Sequence, residues 1–263
     1  MVRYGLTSRD RTTDPARSWL RVPLPRHRPA LRLVCFPPAG TTADFYRAWP
    51  DGLADHVELA AVQYPARGDR RGEAMPDHLE GLARPVAEAL AAAADAPPVL
   101  FGHGMGAAVA FETARLLARD PGSAPRALFV SAHPAPMEDR PREPAPHTDE
   151  PVVAPRHMNS TRPEDLPPAT VHADLRLADR YRYRPGPPLD CPLTAIVGTR
   201  DTRVTARHAA GWRHCTTGPF TLRAMPGDHF YLVPRRTALV AFLLTSLGAR
   251  GGPAARPAGR TAH

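Results

Sequence analysis

A glycine-spaced turn between an apolar strand and a helical pattern is the densest chemical signal in the sequence. It consists of Val99-Leu100-Phe101-Gly102-His103-Gly104-Met105-Gly106-Ala107. A turn of this kind can hold a nucleophile on strained backbone, because small residues at Gly102 and Gly106 let the strand and helix approach closely. The N–H after the tip then faces a developing oxyanion. The tip itself is Gly104, so the turn predicts a nucleophilic site without its nucleophile.

Glycine-rich turns between a strand and a helix also bind phosphate groups, which is a different prediction for the same residues. The spacing of Gly102, Gly104 and Gly106 is not that of a dinucleotide-binding turn. No lysine follows that could contact a phosphate, since the whole chain contains none. We therefore expect no nucleotide and no other cofactor here.

Two residues that could carry acid–base chemistry follow predicted strands further along the chain. Asp201 comes shortly after an apolar run that ends in Gly198, and His229 lies in a glycine-containing loop after the next run. The carboxyl ends of parallel strands meet at one edge of a sheet, and open α/β sheets keep their sites at that edge. Both side chains are therefore predicted to lie there. Asp228 is a rival partner for His229, but as its immediate neighbour it is expected to point away.

Short apolar runs alternate with helical patterns, and this alternation predicts the sheet that positions these residues. A mostly parallel sheet flanked by helices on both faces gives such a pattern, because its strands are buried on both sides. The predicted strands are residues 31–36, 57–64, 99–101, 127–131, 193–197 and 220–225. Periodic apolar residues predict helices over 79–90, 109–117 and 237–247. The predicted fold class is α/β.

Three segments depart from this alternation. Residues 1–28 and 248–263 are rich in Arg, Pro, Gly and Ala and lack periodic apolar residues, so we expect them to be disordered. Residues 134–168 are rich in proline and charge and are too long for an ordinary connection. We expect one domain over residues 29–247, with 134–168 inserted as a lid, because single cores keep growing to roughly 250 to 300 residues.

The composition limits where the protein is expected to be located and which molecules it is expected to bind. A formal charge of +8 fits nucleic acid, acidic proteins or anionic substrates. Every residue in the Lys+Arg count is arginine, which suggests a GC-rich genome, and the arginines are scattered with no nucleic-acid-binding motif. We therefore expect no nucleic acid. No long apolar run or secretory signal is present, so we expect a cytoplasmic protein without membrane contact. Cys35, Cys191 and Cys215 are too far apart in sequence to indicate a disulfide framework or a metal site.

Six blocks of sequence, taken in order, resemble the type II thioesterases, the editing hydrolases that accompany polyketide synthases and non-ribosomal peptide synthetases. Besides the glycine-spaced turn, the blocks are Cys35-Phe36-Pro37-Pro38-Ala39-Gly40, Gln63-Tyr64-Pro65-Ala66-Arg67, residues 175–188, Val197-Gly198-Thr199-Arg200-Asp201 and Gly227-Asp228-His229-Phe230-Tyr231-Leu232. The resemblance extends over residues 31–232.

This resemblance implies an α/β-hydrolase fold and a hydrolase of acyl thioesters. It implies that Asp201 is the acid that orients the base, that His229 is the base, and that the N–H groups of Ala39 and Met105 form the oxyanion hole. The order of turn, acid and histidine agrees with this fold. The implied partners are acyl carrier proteins or peptidyl carrier proteins bearing an acyl-phosphopantetheine in antibiotic biosynthesis. No metal is implied.

Three features depart from the family's pattern. The family has serine at the tip where this chain has Gly104, so no acyl-enzyme can form there by the usual route. Pro38 stands where the family usually has histidine, which removes a donor and stiffens the loop. The lid segment, residues 134–168, is proline-rich where the family has amphipathic helices. The changes affect the nucleophile, the oxyanion hole and the acyl pocket together.

Other side chains are poor substitutes for the absent serine. Cys35 lies within a predicted buried strand, His103 is expected to project away from the tip, and Ser131 ends the next strand. His133 is expected to be a loop residue rather than a second base.

Three hypotheses follow for the chemistry of this chain. The first is a thioesterase whose hydrolysis is weak or is supported by a water that His229 deprotonates beside Gly104. The second is a protein that holds a carrier-bound acyl chain for transfer, cyclisation or chaperoning without hydrolysing it. The third is that Gly104 reflects an inactivating substitution or a sequencing change.

Overall fold

A seven-stranded sheet forms the centre of the molecule, which is a computed structural model that describes residues 18–93, 98–137 and 166–248. Its strands are β1 (Leu20–Arg21), β2 (Leu31–Phe36), β3 (Val57–Val62), β4 (Pro98–His103), β5 (Ala127–Ser131), β6 (Leu193–Gly198) and β7 (Phe220–Met225). The strand order is β1-β3-β2-β4-β5-β6-β7. Only β1 pairs antiparallel, so the prediction of a mostly parallel sheet is confirmed.

Helices cover both faces of the sheet. They are α1 (Glu80–Ala92), α2 (Met105–Leu117), α3 (Pro168–Arg180), α4 (Ala206–Ala210) and α5 (Arg236–Gly248). The helices predicted over 79–90, 109–117 and 237–247 are therefore present as α1, α2 and α5. Helix α2 begins earlier than its apolar pattern because it starts directly after Gly104. No helix within the three described ranges is long and apolar enough to cross a membrane.

The buried side chains form two layers, one on each face of the sheet. Along β2, Val34 and Phe36 belong to the layer under α1 and α2, whereas Leu33 and Cys35 belong to the layer under α5. Successive side chains of a strand point to opposite faces, so a strand covered on both sides is largely apolar. This burial accounts for the continuous apolar runs that predicted the strands.

The strand order puts a topological switch point between β2 and β4 at the carboxyl edge of the sheet. Strand β3 lies on one side of β2 and β4 on the other, with Phe36 opposite Gly102 in the β2–β4 pair. The connections that follow β2 and β4 therefore leave toward different sides of the sheet. Ligand sites of open α/β sheets lie at such switch points.

The first strand corrects part of the prediction for the N-terminal segment. Residues 1–28 were expected to be disordered, but Leu20 and Arg21 pair with β3. The Arg70 guanidinium lies 3.9 Å from the centre of the Trp19 ring, and Arg21 Nε donates to Asp69 at 3.0 Å. Residues 1–17 lie outside the described ranges.

Most of the predicted lid, residues 134–168, and nearly all of the C-terminal segment 248–263 also lie outside the described residues. The lid's last residue, Pro168, begins α3, where proline is favoured because a first-turn N–H has no intrahelical partner.

Candidate active site

Gly104 occupies the turn between β4 and α2, as the sequence predicts. Its φ of 54° and ψ of −125° lie in a region that residues with a Cβ rarely adopt. The neighbouring glycines are needed for a different reason. A Cβ at Gly102 would collide with the carbonyl of Gly106, and a Cβ at Gly106 would collide with the carbonyl of Phe36. Close approach of α2 to the sheet therefore excludes side chains at positions 102 and 106.

The position of a side chain at Gly104 is open. A Cβ built there would lie 3.8 Å from Pro38 Cβ and 4.0 Å from His229 Nε2, with no other contact within 4 Å from described residues beyond its chain neighbours. Both distances are ordinary van der Waals contacts. The Cβ of a serine therefore has room, and it would lie 4.0 Å from Nε2 of His229.

His229 and Asp201 lie within hydrogen-bonding distance, which confirms the predicted contact. His229 Nδ1 is 2.8 Å from Asp201 Oδ2. The side chain of Asp201 has no solvent exposure, whereas that of His229 is 20% exposed. Because Nδ1 faces a carboxylate, we assign the ring proton to Nδ1, which leaves the lone pair of Nε2 on the side of Gly104.

The carboxylate of Asp201 is held in its charged form. Burial alone would raise its pKa, but hydrogen bonds from His229 and the loop backbone outweigh burial and lower the pKa below 3.8. Its Oδ1 accepts the N–H groups of Arg203 at 2.9 Å and Val204 at 3.0 Å. The rival carboxylate, Asp228, accepts the N–H of Phe230 instead.

Two N–H groups without a partner among the described residues belong to Met105, which follows Gly104, and to Ala39, which follows Pro38. Met105 is the first residue of α2, so its N–H has no partner within the helix. Neither this N–H nor that of Ala39 donates to an acceptor among the described residues. An oxyanion hole requires donors that are available to a developing charge, and both of these N–H groups are available.

The loop that carries Ala39 is fixed by hydrogen bonds from both sides. Thr41 Oγ1 donates to the Pro38 carbonyl at 2.9 Å, and the Gly40 N–H donates to Asp174 Oδ2 at 2.8 Å. Asp174 lies on α3 and also pairs with Arg67, whose guanidinium donates to the Thr41 carbonyl at 2.9 Å. The sequence patterns give no signal for the pairing of Arg67 with Asp174.

A second buried polar chain lies behind His229. His103 Nδ1 is 2.8 Å from Ser131 Oγ, which is 2.6 Å from the hydroxyl of Tyr231. Burial lowers the pKa of His103 well below its usual value, so the ring is neutral. Its Nε2 has no hydrogen-bond partner among the described residues. The ring centroids of His103 and His229 are 5.3 Å apart.

The alternative nucleophiles are all buried. His103, Ser131 and Cys35 have no exposed surface, and burial raises the pKa of the Cys35 thiol. His133 Nδ1 contacts the backbone carbonyl of Pro134 at 2.7 Å, and the residue is 6% exposed. None of these four side chains therefore replaces a serine at Gly104.

Comparison with known proteins gives the same family as the motifs. The family model described as "Thioesterase domain" matches residues 31–247. Thioesterase PikA5 of Streptomyces venezuelae is 37% identical over 225 residues, covering 81% of this chain and 80% of the relative. A probable cadicidin biosynthesis thioesterase of Streptomyces griseus is 36% identical over 252 residues, covering 92% and 70%.

A solved structure of a type II thioesterase is similar to this chain in both fold and sequence. BorB, a type II thioesterase from the borrelidin biosynthetic cluster, has a TM-score of 0.78 and 39% identity, with 88% of this chain and 96% of that chain covered. The chain belongs to the Thioesterase family, as a type II thioesterase of the kind associated with polyketide and non-ribosomal peptide biosynthesis.

Proposed function

We propose that this chain binds acyl groups held as thioesters on the phosphopantetheine of acyl or peptidyl carrier proteins. In this proposal His229 is the base, Asp201 orients it, and the N–H groups of Ala39 and Met105 form the oxyanion hole. Gly104 occupies the position of the family's serine. The net charge of +8 supports an acidic partner such as a carrier protein.

One observation carries the proposal. The base and its orienting acid are fully assembled, at 2.8 Å, and Nε2 of His229 lies 4.0 Å from where the Cβ of a tip residue would be. The site therefore has the geometry for acyl chemistry without a side chain to accept the acyl group. We infer that hydrolysis by the chain is slow and that a single hydroxyl would restore it.

The test compares turnover of a hexanoyl-loaded acyl carrier protein by the chain and by Gly104→Ser, with release of the carrier thiol as the readout. Without the serine of a triad, residual catalysis comes only from binding and the oxyanion hole, so we expect the chain to be at least about 10³-fold slower than Gly104→Ser. Gly72→Ser is the matched control, since Gly72 has no neighbour within 4 Å of an added Cβ.

His229→Ala, made in both backgrounds, completes the test. It should remove the activity of Gly104→Ser. Equal rates for the chain and Gly104→Ser, both lost with His229→Ala, would contradict slow hydrolysis and indicate a water mechanism that needs no serine.

A second function is favoured by Pro38, which lies 3.8 Å from the added Cβ and alters the loop of the oxyanion hole. On this alternative the chain binds an acyl carrier without hydrolysing it. Tighter binding of a hexanoyl carrier than of the unacylated carrier, with no turnover by Gly104→Ser, would support it.

A cytoplasmic location is part of the proposal. It is supported by the three cysteines, which are free thiols buried in the structure, since free thiols are typical of reducing compartments.

A further inference from the structure

Pro38 Cβ and His229 Nε2 border the space beside Gly104. An added Cβ would be 3.8 Å and 4.0 Å from these two atoms, both ordinary van der Waals distances, so a small group fits beside Gly104 without displacing either. Gly104 is partly exposed, and so is the side chain of His229. As far as the described residues show, small molecules can therefore reach this space.

The groups around this space match those that a bound nucleophile needs. Nδ1 of His229 is committed to Asp201, so Nε2 is the nitrogen that accepts a proton. The free N–H groups of Ala39 and Met105 belong to the residues that follow Pro38 and Gly104 in the chain. A nucleophile beside Gly104 would contact the base at the position where a serine hydroxyl would otherwise do so.

We propose that the space beside Gly104 binds a small acyl acceptor, a nucleophile of one or two non-hydrogen atoms, and that the acyl group passes to it directly from the thioester. This inference rests on the proposed function, because it uses the same thioester and the same base. It adds a second substrate and removes the acyl-enzyme intermediate.

The reaction balances without any oxidant or reductant. His229 Nε2 takes the proton of the acceptor as the acceptor's oxygen or nitrogen bonds to the thioester carbon, and the carbonyl oxygen becomes an oxyanion. The C–S bond then breaks, and the protonated His229 returns the proton to the thiolate. Water gives a carboxylic acid and a thiol, and hydroxylamine gives a hydroxamic acid and a thiol.

Hydroxylamine is the probe, because it has two non-hydrogen atoms and its hydroxamic acid product can be measured separately. The substrate is hexanoyl-N-acetylcysteamine, a soluble thioester that resembles the end of an acyl-phosphopantetheine. The reaction without protein is subtracted at each concentration. We expect the chain to form hydroxamic acid at a rate that rises with hydroxylamine and saturates, as binding requires.

Two comparisons test the site. One uses a larger hydroxylamine on the unmodified chain, and the other uses a variant of His229. O-benzylhydroxylamine, which exceeds the one or two non-hydrogen atoms of the proposed acceptor, should give no rate above the reaction without protein. His229→Ala should lower the hydroxylamine-dependent rate by about 10²-fold or more, the usual contribution of a general base.

Filling the space tests its position directly. Gly104→Ala places a methyl group there and should abolish the hydroxylamine-dependent rate. Gly72→Ala, at an unobstructed position, should leave that rate unchanged. The comparison of the two hydroxylamines on the unmodified chain still decides the matter if Gly104→Ala does not fold.

A hydroxylamine-dependent rate that survives in His229→Ala or folded Gly104→Ala, or that O-benzylhydroxylamine supports equally, would overturn the inference. So would the absence of any rate above the reaction without protein. If Gly104→Ser hydrolyses the carrier thioester while the chain ignores hydroxylamine, only this inference fails. If Gly104→Ser is inactive as well, the proposed function fails with it.

Discussion

Asp174 shares one carboxylate oxygen between the guanidinium of Arg67 and the N–H of Gly40, each 2.8 Å away. Its other oxygen accepts a second bond from Arg67 at 2.6 Å, and neither side chain is exposed. Helix α3 is thus joined to the loop that carries Ala39 through a buried ion pair. The pair fixes one wall of the candidate site from an element far away in sequence.

Removing Asp174 is expected to destabilise the protein strongly. Asp174→Ala leaves the Arg67 guanidinium buried without its partner, which costs about 3 to 5 kcal/mol in the free energy of unfolding. Urea denaturation measures this change. Asp179→Ala, at an exposed position on the same helix, is the control and should stay within about 0.5 kcal/mol. A loss below about 1 kcal/mol in Asp174→Ala would contradict the buried pair.

The glycines of the turn are expected to differ in their tolerance of a side chain. Gly104→Ala keeps its surroundings but places a Cβ at positive φ, which costs about 1 to 3 kcal/mol. Gly102→Ala should cost more, since its methyl collides with backbone that cannot move away. Unfolding in urea ranks the two variants. Gly104→Ala as the more damaging substitution would be evidence against this close approach of α2 to the sheet.

The acid of the candidate site is expected to act through the tautomer of His229. In the Gly104→Ser background, Asp201→Asn should lower kcat by on the order of 10⁴, because an amide no longer favours the ring proton on Nδ1. Asp228→Asn is the matched control and should change kcat little, since Asp228 contacts the Phe230 N–H rather than the ring. Reversed effects of the two variants would assign the acid role to Asp228.

His103 is expected to make stability depend on pH. Its pKa is well below 6.5 in the folded state, so below pH 6.5 the unfolded chain takes up a proton that the folded chain does not. Stability should therefore fall as the pH drops below 6.5, by up to about 1.4 kcal/mol per pH unit.

The comparison of the chain with His103→Asn isolates this contribution from the other histidines. The variant should lose less stability between pH 7 and pH 5 than the chain does, on the order of 1 kcal/mol or more. His56→Asn, which removes an exposed ring, should follow the chain. Parallel stability curves for the chain and His103→Asn would show that His103 titrates equally in both states.

The sequence predicts those parts of the molecule that depend on local pattern. The strands buried on both faces are predictable to within a few residues, because burial on both sides makes each of them largely apolar. The contact between Asp201 and His229 was also predictable, since each follows a strand of the same sheet edge.

The features that were missed depend on pairing between distant residues. Strand β1 has only two residues and joins the sheet through backbone bonds, which leave no periodic pattern. Arg67 and Asp174 are 107 positions apart, and only the docking of α3 brings them together. The contact of His103 with Ser131 depends on the register of β4 and β5, in which these two residues are opposite each other.

The open backbone position at Gly104 also has a genetic consequence. Two of the four glycine codons differ from serine codons by a single base, at the first codon position. The turn already has the backbone angles of the site, and its neighbours leave room for a side chain. A single mutation from such a codon therefore places a hydroxyl beside His229 without repacking a neighbour, so an ancestor or descendant with serine lies one step away in sequence space.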